Sequence, residues 1–206
     1  IIRPVLAARG IHVDYADSLE VLRPETLSRY DGLIIYANHP RIAPEQEKAL
    51  VEYVASGKGF IPIHCASYCF LNSPRYVALV GAQFRSHGSG VFRPRVVRPD
   101  HPIMQGYEPF SSWDETYVHT RHNEQGRTVL EVRTDGDMQE PWTWVRHEGK
   151  GRGGQGGVHV NVFWRQRVFS PRALAAALPA RQAGLPAPVW LRMMGKSGRI
   201  RPSQAL

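Results

Sequence analysis

Short apolar runs, separated by turn residues, set the rhythm of the first part of the chain. Ile11-His-Val-Asp-Tyr15 alternates with period two, which predicts a strand over 11–16. Before it, Pro4–Arg9 reads as a short helix stopped by Gly10. Leu33-Ile-Ile-Tyr36 follows Asp31-Gly32 as a compact apolar run, predicting a strand over 32–37 that is covered on both faces. The clearest helix is predicted over 44–56. Pro44 suits its first turn, Glu45 and Glu47 complement the positive end of its dipole, Leu50, Val51 and Val54 form its apolar stripe, and Gly57 stops it. Gly59-Phe-Ile-Pro-Ile63 predicts a third strand over 59–64, and Ser73-Pro74 opens a helix that runs through Val80 and stops at Gly81. Strand, helix, strand at this spacing is the βαβ pattern. It places 11–16, 32–37 and 59–64 in one parallel sheet, with helix 44–56 on one face.

Beyond Gly81 the pattern changes. Segments 91–97, 128–133 and 142–146 read as strands separated by long polar turns, and no internal repeat is present. From Gly151 the composition shifts to Gly, Arg, Ala and Pro, with a strand at 158–164 and a helix at 171–178 as the only regular candidates. The domain reading is therefore a body over 1–150 and an atypical basic tail over 151–206. Few apolar faces are available there to offset ordering entropy, so the tail is expected to pack poorly.

Charge follows the same division. The net charge is +8, but residues 1–146 hold 16 Lys/Arg against 17 Asp/Glu, while residues 147–206 hold 10 against a single acid, Glu148. A groove-reading nucleic-acid binder needs its basic face on the folded body, so nucleic acid is not the expected partner. The 206 residues, 42% hydrophobic and 21% charged, suit one globular domain, and no apolar stretch approaches the ~20 residues of a spanning helix. The chain opens at Ile1 without an initiator Met, so an upstream segment is expected to be missing and the compartment, cytoplasmic or exported, stays open. The cysteines, Cys65 and Cys69, are too few for a disulfide framework.

In an open α/β sheet, ligands bind beyond the carboxyl ends of the strands. His39 and His64 follow two predicted strands, and Arg85, Ser86, His87, Asp114, Glu115, His119 and His122 are further candidates. Imidazole with carboxylate suits zinc or a similar divalent metal, and equally suits acid–base chemistry near neutral pH. No compact metal motif is present. His101, between Asp100 and Pro102, reads as a turn residue. Cys65 after a strand is a possible nucleophile, but Pro62 stands where an elbow favours a small residue, and a buried structural thiol is the simpler reading. Trp113, Trp142 and Trp144 can stack on sugar rings or simply pack.

Several blocks, taken in order, resemble the ThuA-like (trehalose-utilisation) family: Asp31–Tyr36, helix 44–59, Gly59–Ser67, Leu79–His87, Asp100–Ile103 and Trp113–Tyr117. The resemblance covers about Ile1–Lys150. It implies the class I glutamine amidotransferase-like fold, a flavodoxin-like three-layer sandwich with a mostly parallel sheet, here incomplete at both ends. The amidotransferase elbow, Gly-x-Cys-x-Gly, is usually Gly-Ile-His-Ala-Ala in ThuA-like chains, which puts His64 at the nucleophile's place and Cys65 one residue later. The family's first strand falls before Ile1. Its closing strand and Gly-His-Asp segment are replaced by Gly153–Gly157 and the basic tail, as a frameshift would produce, so 153–206 is not expected to complete the sheet.

Three functions compete. The first is an enzyme acting on a sugar or sugar derivative, in which His64, His87 and Glu115 are catalytic or bind a divalent metal such as zinc, with His39 on the rim and Arg85 holding ligand. The second is a non-catalytic carbohydrate-binding or accessory domain of a larger redox or exported protein. A cysteine amidotransferase or hydrolase using Cys65 is the weakest. In the first two the expected partner is a small carbohydrate; the oligomeric state is left open.

Overall fold

The structure, a computed structural model, describes residues 2–8, 10–148, 157–162 and 189–194. Helix α1 (Ile2–Ala7) leads into strand β1 (Ile11–Ala16), where the alternation read from the sequence buries Ile11 and Val13 and exposes His12. A short helix α2 (Pro24–Leu27) precedes β2 (Gly32–Ile35), which is buried along its whole length. Helix α3 (Pro44–Ala55) starts at Pro44, and the Gln46 side chain reaches back to the Ala43 N–H at 3.1 Å, closing one orphan donor. Its buried stripe is Ala49, Leu50, Tyr53 and Val54. β3 (Gly59–Pro62) is again fully buried, and α4 (Pro74–Val80) is capped by Ser73, whose hydroxyl accepts from Tyr76 N at 2.9 Å.

The later chain is built of antiparallel strands: β4 (Gln83–Phe92), β5 (Arg95–Val96), β6 (Ser112–Thr120), β7 (Arg127–Asp135) and β8 (Met138–Glu148). β9 (Gly157–Val162) and β10 (Val189–Met194) follow. Among the described residues, eight strands form one sheet in the order β1-β10-β2-β3-β9-β8-β7-β5, and β4 pairs with β6 in a separate ribbon. β1, β10, β2, β3 and β9 run parallel, whereas β9–β8, β8–β7 and β7–β5 are antiparallel.

The expected parallel group is present, since β1, β2 and β3 lie in one sheet with the same direction. The sheet as a whole is mixed: its β1-to-β9 part is parallel, while Met138–Glu148 returns from β7 through a tight turn at Gly136 (φ +57), and tight turns join antiparallel neighbours. A correction concerns 153–206. Gly157–Val162 pairs with both β3 and β8, and Val189–Met194 lies between β1 and β2, so these two pieces do enter the sheet. The helix predicted at 171–178 lies outside the described residues.

Both faces of the parallel part are covered. Leu33, Ile35 and Phe60 join an apolar cluster with Leu50, Tyr53, Val54, Tyr76, Leu79 and Val80 of α3 and α4. Ile34, Ile61 and Ile63 belong to another, with Leu6, Ile11, Val13, Ile103, Met104, Leu130 and Val145. A third cluster, Ala82, Tyr117, Trp142 and Trp144 with Phe84 and Phe92 packed on it, fastens the β4–β6 ribbon to β8.

Candidate functional site

The chain leaves β3 through Ile63 in extended conformation and turns at His64, whose φ is +51°. A non-glycine residue in the left-handed region costs ~1–3 kcal/mol and persists only where its surroundings hold it. Here a short 3-10 turn, His64–Tyr68, follows at once: Ala66 N–H donates to the Ile63 carbonyl at 3.0 Å, Ser67 Oγ donates to the His64 carbonyl at 3.1 Å, and the Tyr76 hydroxyl donates to the Ala66 carbonyl at 3.0 Å. The strand-to-turn elbow inferred from the family resemblance is thus present, and it carries His64.

The β4–β6 ribbon supplies the other groups. In its antiparallel register Ser89 stands opposite Glu115 and His87 opposite Tyr117, so these four side chains share one face. That face meets the elbow: His64 Nε2 lies 3.1 Å from Glu115 Oε2, and His87 Nε2 lies 3.9 Å from Glu115 Oε1. The three side chains are between 20% and 24% exposed, screened but reachable. The Tyr117 hydroxyl is 3.3 Å from His64 Nε2 and also hydrogen-bonds Glu115. Its ring lies 4.6 Å from that of His64 and 5.6 Å from that of His87, while Tyr36 stacks on His64 from β2's side at 6.1 Å.

Burial holds His64 below the ordinary imidazole range, outweighing the opposite pull of Glu115 and Asp114, so the ring is neutral at pH 7. Burial, with Glu115, pushes Tyr117 well above the usual phenol range, and Tyr36 is raised to about 12 chiefly by burial. Both hydroxyls therefore keep their protons. Burial likewise pushes the Cys65 and Cys69 thiols up to about 12. Cys69 Sγ donates to the Ala37 carbonyl at 2.7 Å, a structural use. Thiols protonated at neutral pH do not act as ready nucleophiles.

The other candidates are held by different contacts. His39 follows β2, but its backbone N–H donates to Cys69 Sγ, its carbonyl accepts from Phe70 N, and its ring makes no ion pair with Glu115. Arg85 and Ser86 are exposed at a bulge in β4, where the register slips between Phe84 and Ser86. Asp114 Oδ1 accepts from Glu115 N. His119, on β6 instead of a helix turn, is buried against Glu140 at 2.8 Å, and His122 is 3.1 Å from Arg127. His101 caps a 3-10 turn at Pro102–Met104, the turn role read for it. Tyr117 and Tyr36 were missed. For Tyr117 the signal was the two-residue step from Glu115, which has meaning only once Ser112–Thr120 is known to be a strand.

Among the described residues, no group of three or more His, Cys, Asp or Glu side chains is set as a metal's ligands. His64, Glu115 and Tyr117 are instead bonded to one another. A cavity of about 480 Å³ lined by residues such as Arg93, Arg95, Met104 and Tyr107 shares none of the trio. No helix among the described residues is long and apolar enough to cross a membrane.

The structure is similar to a ThuA-like protein from Bacteroides uniformis (TM-score 0.65, 17% identity, 86% of this chain and 79% of that one). It is also similar to a ThuA-like protein from Parabacteroides merdae (TM-score 0.57, 17% identity, 66% and 60%). A cytoplasmic protein from Salmonella typhimurium aligns at TM-score 0.54 with 16% identity over 84% and 78%. At these identities the likeness is one of fold. No curated protein sequence matches significantly. The family model for ThuA, trehalose utilisation, matches residues 1–154. A mixed α/β sheet that ends one strand in a histidine elbow, matched by that model over most of its length, makes this chain a member of the ThuA, or trehalose-utilisation, family.

Proposed function

We propose that this domain acts on a sugar or sugar derivative by general acid–base catalysis centred on His64. The observation that carries the proposal is the left-handed elbow that holds the His64 ring 3.1 Å from Glu115. The family supplies the carbohydrate context. With Nε2–H donated to the Glu115 carboxylate, the neutral ring keeps its lone pair on Nδ1, which is then the proton acceptor. When Nδ1 takes a proton from the substrate, the imidazolium is stabilised by Glu115, and it returns that proton to the product. Tyr117 stays protonated and donates to Glu115, so the carboxylate is held in place for His64. In this reading His87, 3.9 Å from the other carboxylate oxygen, contacts substrate directly, and His39 and Arg85 serve as ligand contacts.

The flavodoxin-like three-layer arrangement belongs to this proposal, since the ThuA frame is what orients the elbow. A non-catalytic carbohydrate-binding domain is the alternative, and turnover separates the two. Disaccharides and their oxidised derivatives, incubated with the protein in D2O and followed by NMR, should show a chemical change or proton exchange. Both His64→Gln and Glu115→Gln should slow it by 10²-fold or more. Binding without any turnover leaves the accessory role. Loss of turnover on Cys65→Ser but not on His64→Gln returns the chemistry to the thiol, and a stoichiometric metal lost in His64→Ala returns it to a metal site.

A further inference from the structure

Resting on that reading, we infer that Trp113 forms a second sugar subsite beside the His64–Glu115 pair, so that the site takes a ligand of at least two rings. Of the three tryptophans on β6 and β8, Trp142 and Trp144 are buried at 6% and 0% exposure and serve the core, whereas Trp113 is 60% exposed. Among the described residues it makes none of the hydrogen bonds or ring contacts that hold the other two, such as Trp144 Nε1 donating to the Val80 carbonyl and Trp142 packing on Phe92.

Strand parity decides which way Trp113 faces. Residues 113, 115 and 117 of β6 fall on one face of the ribbon, and Glu115 and Tyr117 both meet His64. Trp113 is therefore on the site face, one step beyond Glu115 and about 7 Å along the strand. Opposite it in the ladder is Val91, exposed at 73%, and opposite Glu115 is the exposed Ser89. Along this face exposure falls steadily from Trp113 through Glu115 to the buried Tyr117. The arrangement is an open apolar floor leading to a half-buried acid–base pair with a hydroxyl beside it. A saccharide matches it: one ring lays its C–H face on the indole, and the next offers its hydroxyls to Glu115, Ser89 and His64. A lone apolar ligand would leave the polar end unused, and a single ring does not span both.

The probes are trehalose, other gluco- and galacto-configured disaccharides, and their monosaccharides, titrated by calorimetry and by the indole N–H resonances. The Trp113 resonance is assigned by its loss in Trp113→Ala. The expected result is a shift of that resonance with disaccharide and binding about tenfold weaker in Trp113→Ala, a difference of ~1.4 kcal/mol. Trp113→Tyr should recover part of it, and monosaccharide affinity should change little. Unchanged disaccharide affinity in Trp113→Ala overturns the subsite while leaving the acid–base reading standing. No binding of any sugar to the native protein overturns both. A concentration-dependent dimer that is lost in Trp113→Ala assigns the indole to a second copy of the chain and also overturns the subsite.

Discussion

His64 combines two demands that usually conflict, a left-handed backbone and a half-buried titratable ring. The backbone cost is separable from the ring. Both His64→Ala and His64→Gly remove the imidazole, but only glycine adopts φ +51° without a Cβ penalty, so the glycine variant should be the more stable of the two by about 1 kcal/mol. Equilibrium denaturation of the pair measures this, and equal midpoints would mean that the elbow relaxes when the ring is lost. The ring itself gives a pH dependence. His64 and His119 are both held below the ordinary imidazole range, mainly by burial. As pH falls through about 6.5, the unfolded chain takes up protons that these folded rings resist, so stability declines towards acid and is insensitive to them above pH 7. Urea midpoints between pH 7.5 and 5.5 should show that decline, with a shallower slope in a His64→Gln/His119→Gln variant.

At the scale of elements, the decisive join is between the end of α4 and the antiparallel strands. Gly81 ends α4 with φ +98°, and a Cβ there would stand 2.8 Å from Arg146 Cδ and 3.0 Å from Trp144 Nε1. Trp144 donates to the carbonyl of Val80, so indole and helix end are locked together. Gly81→Ala therefore meets both a backbone and a packing penalty and should lose roughly 2 kcal/mol or more, read as a lower denaturation midpoint. The ribbon rests on the same cluster through Tyr117, Phe84 and Phe92. A loss at Gly81 should then also weaken the packing that holds Glu115 to His64, visible as broadened or shifted His64 ring resonances.

For the whole molecule, the sheet depends on strands far apart in the chain. β1 has β10 as its one ladder partner among the described strands, and β10 also separates β1 from β2. A chain ended after residue 188 lacks β10, which leaves β1 unpaired and the edge of β2 open. That truncation should lose cooperative thermal unfolding by circular dichroism. If it melts as sharply as the full chain, β10 contributes little to the fold. Unlike the Gly81 change, this truncation keeps every residue of the elbow and the ribbon, so a surviving His64–Glu115 contact would show how far the site stands on its own.

The sequence by itself determined the elements whose side-chain pattern is local. The period-two run at Ile11–Tyr15, the solid apolar runs ending in His39 and His64, and the Pro44–Gly57 helix all carry their burial in their own spacing. The trio of His64, His87 and Glu115 was named from its place beyond strand ends, and tertiary structure brings it around one carboxylate. What only the fold decided is register and partner. Trp113–Tyr117 mixes polar and aromatic residues with no clear period, so its strand, and hence the common face of Trp113, Glu115 and Tyr117, exists only through pairing with β4. The three tryptophans are alike in sequence, and only the packing of Trp142 and Trp144 on β8 against the ribbon leaves Trp113 outside. The positions of β9 and β10 were hidden for the same reason: long-range parallel pairing is set by the rest of the sheet, and nothing in a strand's own residues encodes which neighbours it will lie between.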